Sequence, residues 1–172
     1  QALEEAGLER PAVEVQNVQH ADARSLLDGG SVDAWSGLDP IMAAAEVESD
    51  DQLIYRNVDF NTYGFLNATE EFITDHPDVA QVVVDAYEEA RAWAIANPED
   101  MAQLLADEAG IDLEAAQTVI DARSKLAVDP VPGDAQTAEL EKIAPITAEP
   151  GDVAGGQEAT DAVSHTTGHA EV

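Results

Sequence analysis

The sequence predicts an α/β protein, and three observations carry that reading. The segment HADARSLLDGGSVDAWSGLDP, residues 20–40, holds a helix, a glycine turn, a strand and a second helix start in one stretch. Short alternating segments (VEVQNV at 13–18, QLIYR at 52–56, YGFLN at 63–67) read as strands. From Pro77 onward, apolar residues recur at spacings of three and four, as they do on a helix face.

Taken in order, QALEEAG at 1–7 reads as the middle or end of a helix, since no capping residue precedes it. Pro11 breaks the chain before strand 13–18. A helix over 21–28 gathers Ala23, Leu26 and Leu27 on one face, and Gly29-Gly30 stops it, because glycine takes the left-handed conformation without a Cβ clash. Val32, Ala34 and Ser36 alternate with Asp33 and Trp35 as strand 32–36. Asp39 is placed as N-cap and Pro40 at the first position of helix 40–47. A strand turning sharply into a helix start puts backbone N–H groups where α/β folds bind ligands.

The loop 57–62 leads into strand 63–67, after which Thr69 caps a helix to Asp75, with Glu70 and Glu71 in its first turn. Val79, Val82, Val83, Ala86, Tyr87, Ala90, Trp93 and Ala94 form a stripe on the next helix. Asn97-Pro98 separates it from helix 98–109, which Gly110 ends. Asp112 caps a third helix to about Lys125. Residues 129–134 (DPVPGD) form a loop, and 135–143 a final helix. Beyond Pro145 the chain lacks aromatics and apolar periodicity, so 146–172 reads as a flexible acidic tail.

Of 172 residues, 36 are acidic and 7 basic, a formal net charge of −29. Nucleic-acid binding is thereby disfavoured, because phosphate contacts need clustered Lys and Arg, and an anionic membrane surface is disfavoured for the same reason. The two lysines, Lys125 and Lys142, fit either a protein working in concentrated salt or an acidic, high-GC background. The absence of cysteine excludes disulfides, thiol catalysis and cysteine-ligated zinc. No G-x-S-x-G elbow, G-x-G-x-x-G or Walker loop is present, and an enzyme is not expected. His165 and His169 stand four apart in the glycine-containing tail, where a stable helix is not expected, while His20 and His76 are distant from each other. Neither pairing makes a metal site, and no cofactor is predicted.

ADAR, the glycine-ended helix, VDAW and DP together resemble the C-terminal half of ABC-importer solute-binding proteins of the aliphatic sulfonate, taurine and nitrate group. The similarity runs on through YGFLNATEEFITDHPDVAQ (63–81) and ARAWAIANPEDMAQLLADEAGIDLEAAQ (90–117) and covers about residues 1–145. The resemblance implies a type II periplasmic-binding-protein fold, here incomplete: most of one lobe plus the return strand and C-terminal helices of the other. Residues 1–60 would belong to the second lobe and 61–145 to the first. A family member carries an N-terminal lobe and a signal segment ahead of this point, so the chain is expected to be a fragment.

The resemblance further implies capture of a small anionic solute, an aliphatic sulfonate such as taurine. Delivery would be to an ABC importer permease, by a full-length monomer that is periplasmic or extracellular, with or without a lipid anchor. Alternatives are a nitrate or pyrimidine-precursor binder on the same fold, or an acidic interaction module with no ligand. The candidate ligand-binding residues are Trp35, Asp39, Asn61, Thr62 and Tyr63. Trp35 is open to two readings, a core tryptophan or a wall of the cleft. Asp39 is open to two also, a helix cap or a ligand contact, and Leu38 stands where the family often has an aromatic. Asn61, Thr62 and Tyr63 precede the return strand, where polar groups can face a cleft or simply form a turn. Among the few cations, Arg24 is expected to pair with Asp28 on its own helix.

Overall fold

The computed structural model describes residues 2–58, 64–131 and 133–148. Eight α-helices form among them: α1 (Ala2–Glu5), α2 (His20–Asp28), α3 (Ile41–Glu48), α4 (Glu70–Asp75), α5 (Pro77–Ala96), α6 (Pro98–Ala109), α7 (Leu113–Thr118) and α8 (Asp134–Ala148). A 3-10 turn, Arg10–Ala12, precedes α2, and α7 runs on into a π-helical turn, Val119–Arg123.

The helix boundaries follow local chemistry. At the end of α2 the Gly30 N–H donates to the Leu27 carbonyl and the Ser31 N–H to the Leu26 carbonyl, with Gly30 at φ 66°. This pair of bonds closes the orphan carbonyls of the last turn and demands the left-handed residue that glycine supplies. Thr69 caps α4 by accepting the Phe72 N–H on its hydroxyl at 3.2 Å. Asn97 leaves helical geometry between α5 and α6, and Pro98 starts the new helix without needing a donor.

Four features of the helix ends differ from expectation. Asp39 lies one residue ahead of the cap position of α3, which Pro40 occupies, yet its carboxylate still reaches the Ala43 N–H. Asp112 starts α7 without a side-chain capping bond. The helix expected to reach Lys125 ends in the π-helical turn at Arg123. The last helix extends past Ile143 to Ala148, so 146–148 belong to α8, and the rest of the expected tail lies outside the described residues.

The expected strands are not realised: among the described residues, 13–18, 32–36, 52–56 and 64–67 contain no strand. Alternation sorts side chains to two sides of an extended chain, but a strand exists only when a second backbone lies about 4.8 Å away to pair with it. In 32–36 even the sorting fails, for Val32 and Trp35 are half-buried while Ala34 and Ser36 are exposed.

Contacts group the chain into two units, one of Gln1–Arg56 with Trp93–Leu126, the other of Asn57–Ala92 with Ala127–Val172. The first unit thus joins segments from both sides of the expected boundary at 60/61. Its core is made of α3, α6 and α7. Ala43 and Ala44 of α3 meet Ala115 and Val119, and Ala102 and Ala106 of α6 meet Ala116. Leu105 and Ile111 pack against both clusters. Alanine faces let helix backbones approach closely, and each buries less area than a leucine would. Arg24 adds a polar tie between α2 and α3, donating to Glu48 at 2.6 Å while also standing 3.7 Å from Asp28.

In the second unit, Arg91 on α5 pairs with Glu88 one turn back and donates to the Val128 carbonyl at 3.3 Å, holding the segment after Ala127. Val79, Val82 and Tyr87 of the expected apolar stripe are exposed. Among the described residues no helix is long and apolar enough to cross a membrane.

Candidate functional site

Two of the five predicted site residues, Trp35 and Asp39, fall within the first unit, four positions apart. Asn61, Thr62 and Tyr63 lie outside the described residues. Trp35 is half-buried. It lines an open depression of about 290 Å³ with Gln16, Asn17, Val18, His20, Ala23 and Ser36. His20, the first residue of α2, sets its ring 6.4 Å from the indole at an interplanar angle of 59°. The rings are tilted against each other at a centroid distance within the range of aromatic pairs.

The other side of the indole is tightly packed. A Cβ on Gly37 would stand 3.1 Å from Trp35 Cη2, 3.2 Å from its Cζ3 and 3.2 Å from Met42 Cβ, so a larger residue would fit only if these side chains gave way by a few tenths of an ångström. Trp35 is therefore neither a fully enclosed core residue nor a free surface one. The indole Nε1 is buried and has no hydrogen-bond partner within the protein, although a buried Trp N–H ordinarily finds one.

Asp39 is engaged in structure. Its Oδ1 accepts the Ala43 N–H at 3.1 Å and the Arg123 guanidinium at 2.9 Å. The Met42 N–H donates to the Leu38 carbonyl at 3.0 Å and the Ala44 N–H to the Pro40 carbonyl at 3.0 Å. The expectation that the start of α3 offers its N–H groups to a ligand is therefore corrected at Met42, Ala43 and Ala44, which are satisfied internally. At α2, in contrast, Gln19 makes no side-chain capping bond. That helix start carries His20 on the rim of the depression, with Asp22 in the same turn.

Arg123 was not singled out in the sequence. Its side chain is 8% exposed and spans to Asp39 and Glu46. Burial pushes its pKa down, but hydrogen bonds to Glu46 and Asp39 outweigh that and the net shift is upward, so the cation is held firmly. A lone arginine far along the chain carries no local signal of such partners. The one available hint was the scarcity of cations in so acidic a protein. Among the described residues no group of three or more His, Asp or Glu is placed to hold a metal ion.

A helical unit built on a helix–glycine–VDAW–DP segment, with an indole walling a small polar-rimmed depression, is the setting for the comparison with known proteins. The chain belongs to the NMT1/THI5-like family, whose family model matches residues 1–101. That family has the type II periplasmic-binding-protein fold. The chain is also 28% identical over 142 residues to a curated protein of Escherichia coli (strain K12) whose name assigns it to aliphatic sulfonate binding. The match covers 82% of this chain and 44% of that relative, so the chain spans less than half of the relative's length. No solved structure matches the chain significantly.

Proposed function

We propose that this chain belongs to the solute-binding component of an ABC importer, a non-enzymatic protein acting in the periplasm or outside the cell. It captures a small anionic organic solute, an aliphatic sulfonate such as taurine, and delivers it to the permease. The family membership over residues 1–101 carries this reading, and the sulfonate class follows the name of the Escherichia coli relative.

The chemistry around Trp35 suits such a ligand. The indole, Val18 and Ala23 offer apolar area to an alkyl chain, while Gln16, Asn17, Ser36 and His20 offer polar groups to sulfonate oxygens. The positive end of the α2 dipole lies at His20, and a helix N-terminus favours an anion. A net charge of −29 does not forbid this, because charges beyond about 10 Å are screened at 0.1 M salt. Asn61, Thr62 and Tyr63 remain candidate donors to the solute on the family resemblance alone. Closure of two lobes is then a population shift: ligand touching both lobes only when closed stabilises the closed state.

The test is equilibrium titration of the full-length protein with taurine, ethanesulfonate and nitrate. Saturable binding of the sulfonates in preference to nitrate supports the reading. Saturation by nitrate alone moves it to the inorganic-anion alternative on the same fold.

A further inference from the structure

The cluster that joins Arg123, Asp39 and Glu46 bears on the candidate site without lining it. Arg123 ends the π-helical turn, and such wide turns occur disproportionately at functional positions. Its Nη1 donates to Asp39 and its Nη2 to Glu46, so one planar fork holds two carboxylates of the α3 region at once. Asp39 in turn holds the Ala43 N–H, which fixes the first turn of α3. Met42 belongs to that turn, and Met42 and the indole of Trp35 both close on Gly37, within 3.1–3.2 Å of where a Cβ would stand. The chain of contact therefore runs from Arg123 through Asp39 and the start of α3 to the packed side of the indole.

We infer that Arg123 is a positioning residue: it sets the indole of Trp35, and with it the shape of the depression that Trp35 walls. The geometry of positioning stands on the contacts alone, while its bearing on ligand affinity rests on the proposed sulfonate-binding role. Arginine is required because a lysine ammonium is a point charge and cannot span both carboxylates in one plane.

Trp35 and Trp93 are the two tryptophans of this sequence, so Trp93→Phe, with any tryptophan in the rest of the full-length protein also replaced by phenylalanine, leaves Trp35 as a lone fluorescent reporter. In that background of the full-length protein, Arg123→Met is compared with Arg123→Lys and the parent. Emission maximum and acrylamide quenching are read where circular dichroism shows native helix content. Arg123→Met should shift the emission and raise quenching several-fold, with Arg123→Lys falling between it and the parent. Unchanged emission and quenching in folded Arg123→Met would overturn the inference. Should Arg123→Met fail to fold, Asp39→Asn serves instead, since asparagine still accepts the Ala43 N–H while losing the charged partner of Arg123. The same spectral shift is expected there, and its absence equally overturns the inference.

Titration with taurine supplies the second arm. A parent that binds taurine should lose about tenfold in affinity in Arg123→Met, the scale of one moderate contact. Equal affinity beside a displaced indole removes the link to the ligand. A parent that binds no sulfonate defeats the sulfonate reading, and the fluorescence result still decides the role of Arg123.

Discussion

All the buried residues described in this chain lie in the unit of Gln1–Arg56 and Trp93–Leu126, and nine of the ten are alanine, the tenth being Val119. The other unit buries none among its described residues and exposes Val82 at 65% and Tyr87 at 60%, although α5 carries the longer apolar stripe. Periodicity decides which face of a helix is apolar; what covers that face is a separate matter of tertiary arrangement. In the first unit the alanines succeed because α3, α6 and α7 have matching small faces that permit close approach. Each alanine removes little apolar area from water, so charged ties such as those of Arg24 and Arg123 make up a larger share of the binding between elements.

The sharpest way to break this contrast is to overfill the alanine core. Ala116 is fully buried between α6 and α7. Ala116→Leu should cost about 3 kcal/mol in urea unfolding, whereas exposed Val82→Ala should stay within about 0.5 kcal/mol. Equal effects would mean that the two units are packed alike. Next in size comes Arg123→Met, expected to cost about 2 kcal/mol. It strands two carboxylates, but at 20% and 26% side-chain exposure they keep part of their hydration, which holds the cost below that of a fully buried pair.

A smaller effect is expected in the second unit. Thr69→Ala removes the hydroxyl that accepts the Phe72 N–H and should cost about 1 kcal/mol. It should appear as faster amide exchange in α4 with exchange in α6 and α7 unaltered. The least effect is on pH dependence. The hydrogen bond from Arg91 lowers the pKa of Glu88 against the opposing pull of desolvation, with the Arg91 charge adding to the lowering. A carboxyl whose folded pKa lies below its unfolded value contributes stability above the unfolded value and loses it as pH falls through the folded one. Glu88→Gln should therefore lower stability slightly at neutral pH, leave it nearly unchanged at pH below the folded pKa, and so flatten the acid side of the stability profile.

Much of the helical architecture was legible in the sequence, because its signals are local. Gly30, Thr69, Asn97-Pro98 and Gly110 each act within four residues, and each marks its boundary as expected. That the expected strands would not appear among the described residues was not legible, since alternation says nothing about whether a partner backbone exists. The Arg123 cluster was hidden for a different reason: its partners are 84 and 77 residues away, and only packing of α3 on α7 brings them together. At Trp35 the residue was visible and its environment was not, for the close approach to Gly37 and the ring of His20 depend on how α2 and α3 meet.

The role proposed for Trp35 is that of a ligand-contacting wall in a sulfonate-binding protein. Calorimetric titration of the full-length protein and its Trp35→Ala variant with taurine, beside melting curves of both, tests it most directly. Saturable taurine binding that weakens in the variant by up to a few kcal/mol, with a melting point shifted only modestly, is the predicted result. Intact affinity in a variant destabilised by about 3–5 kcal/mol would instead make Trp35 a core residue and contradict the account.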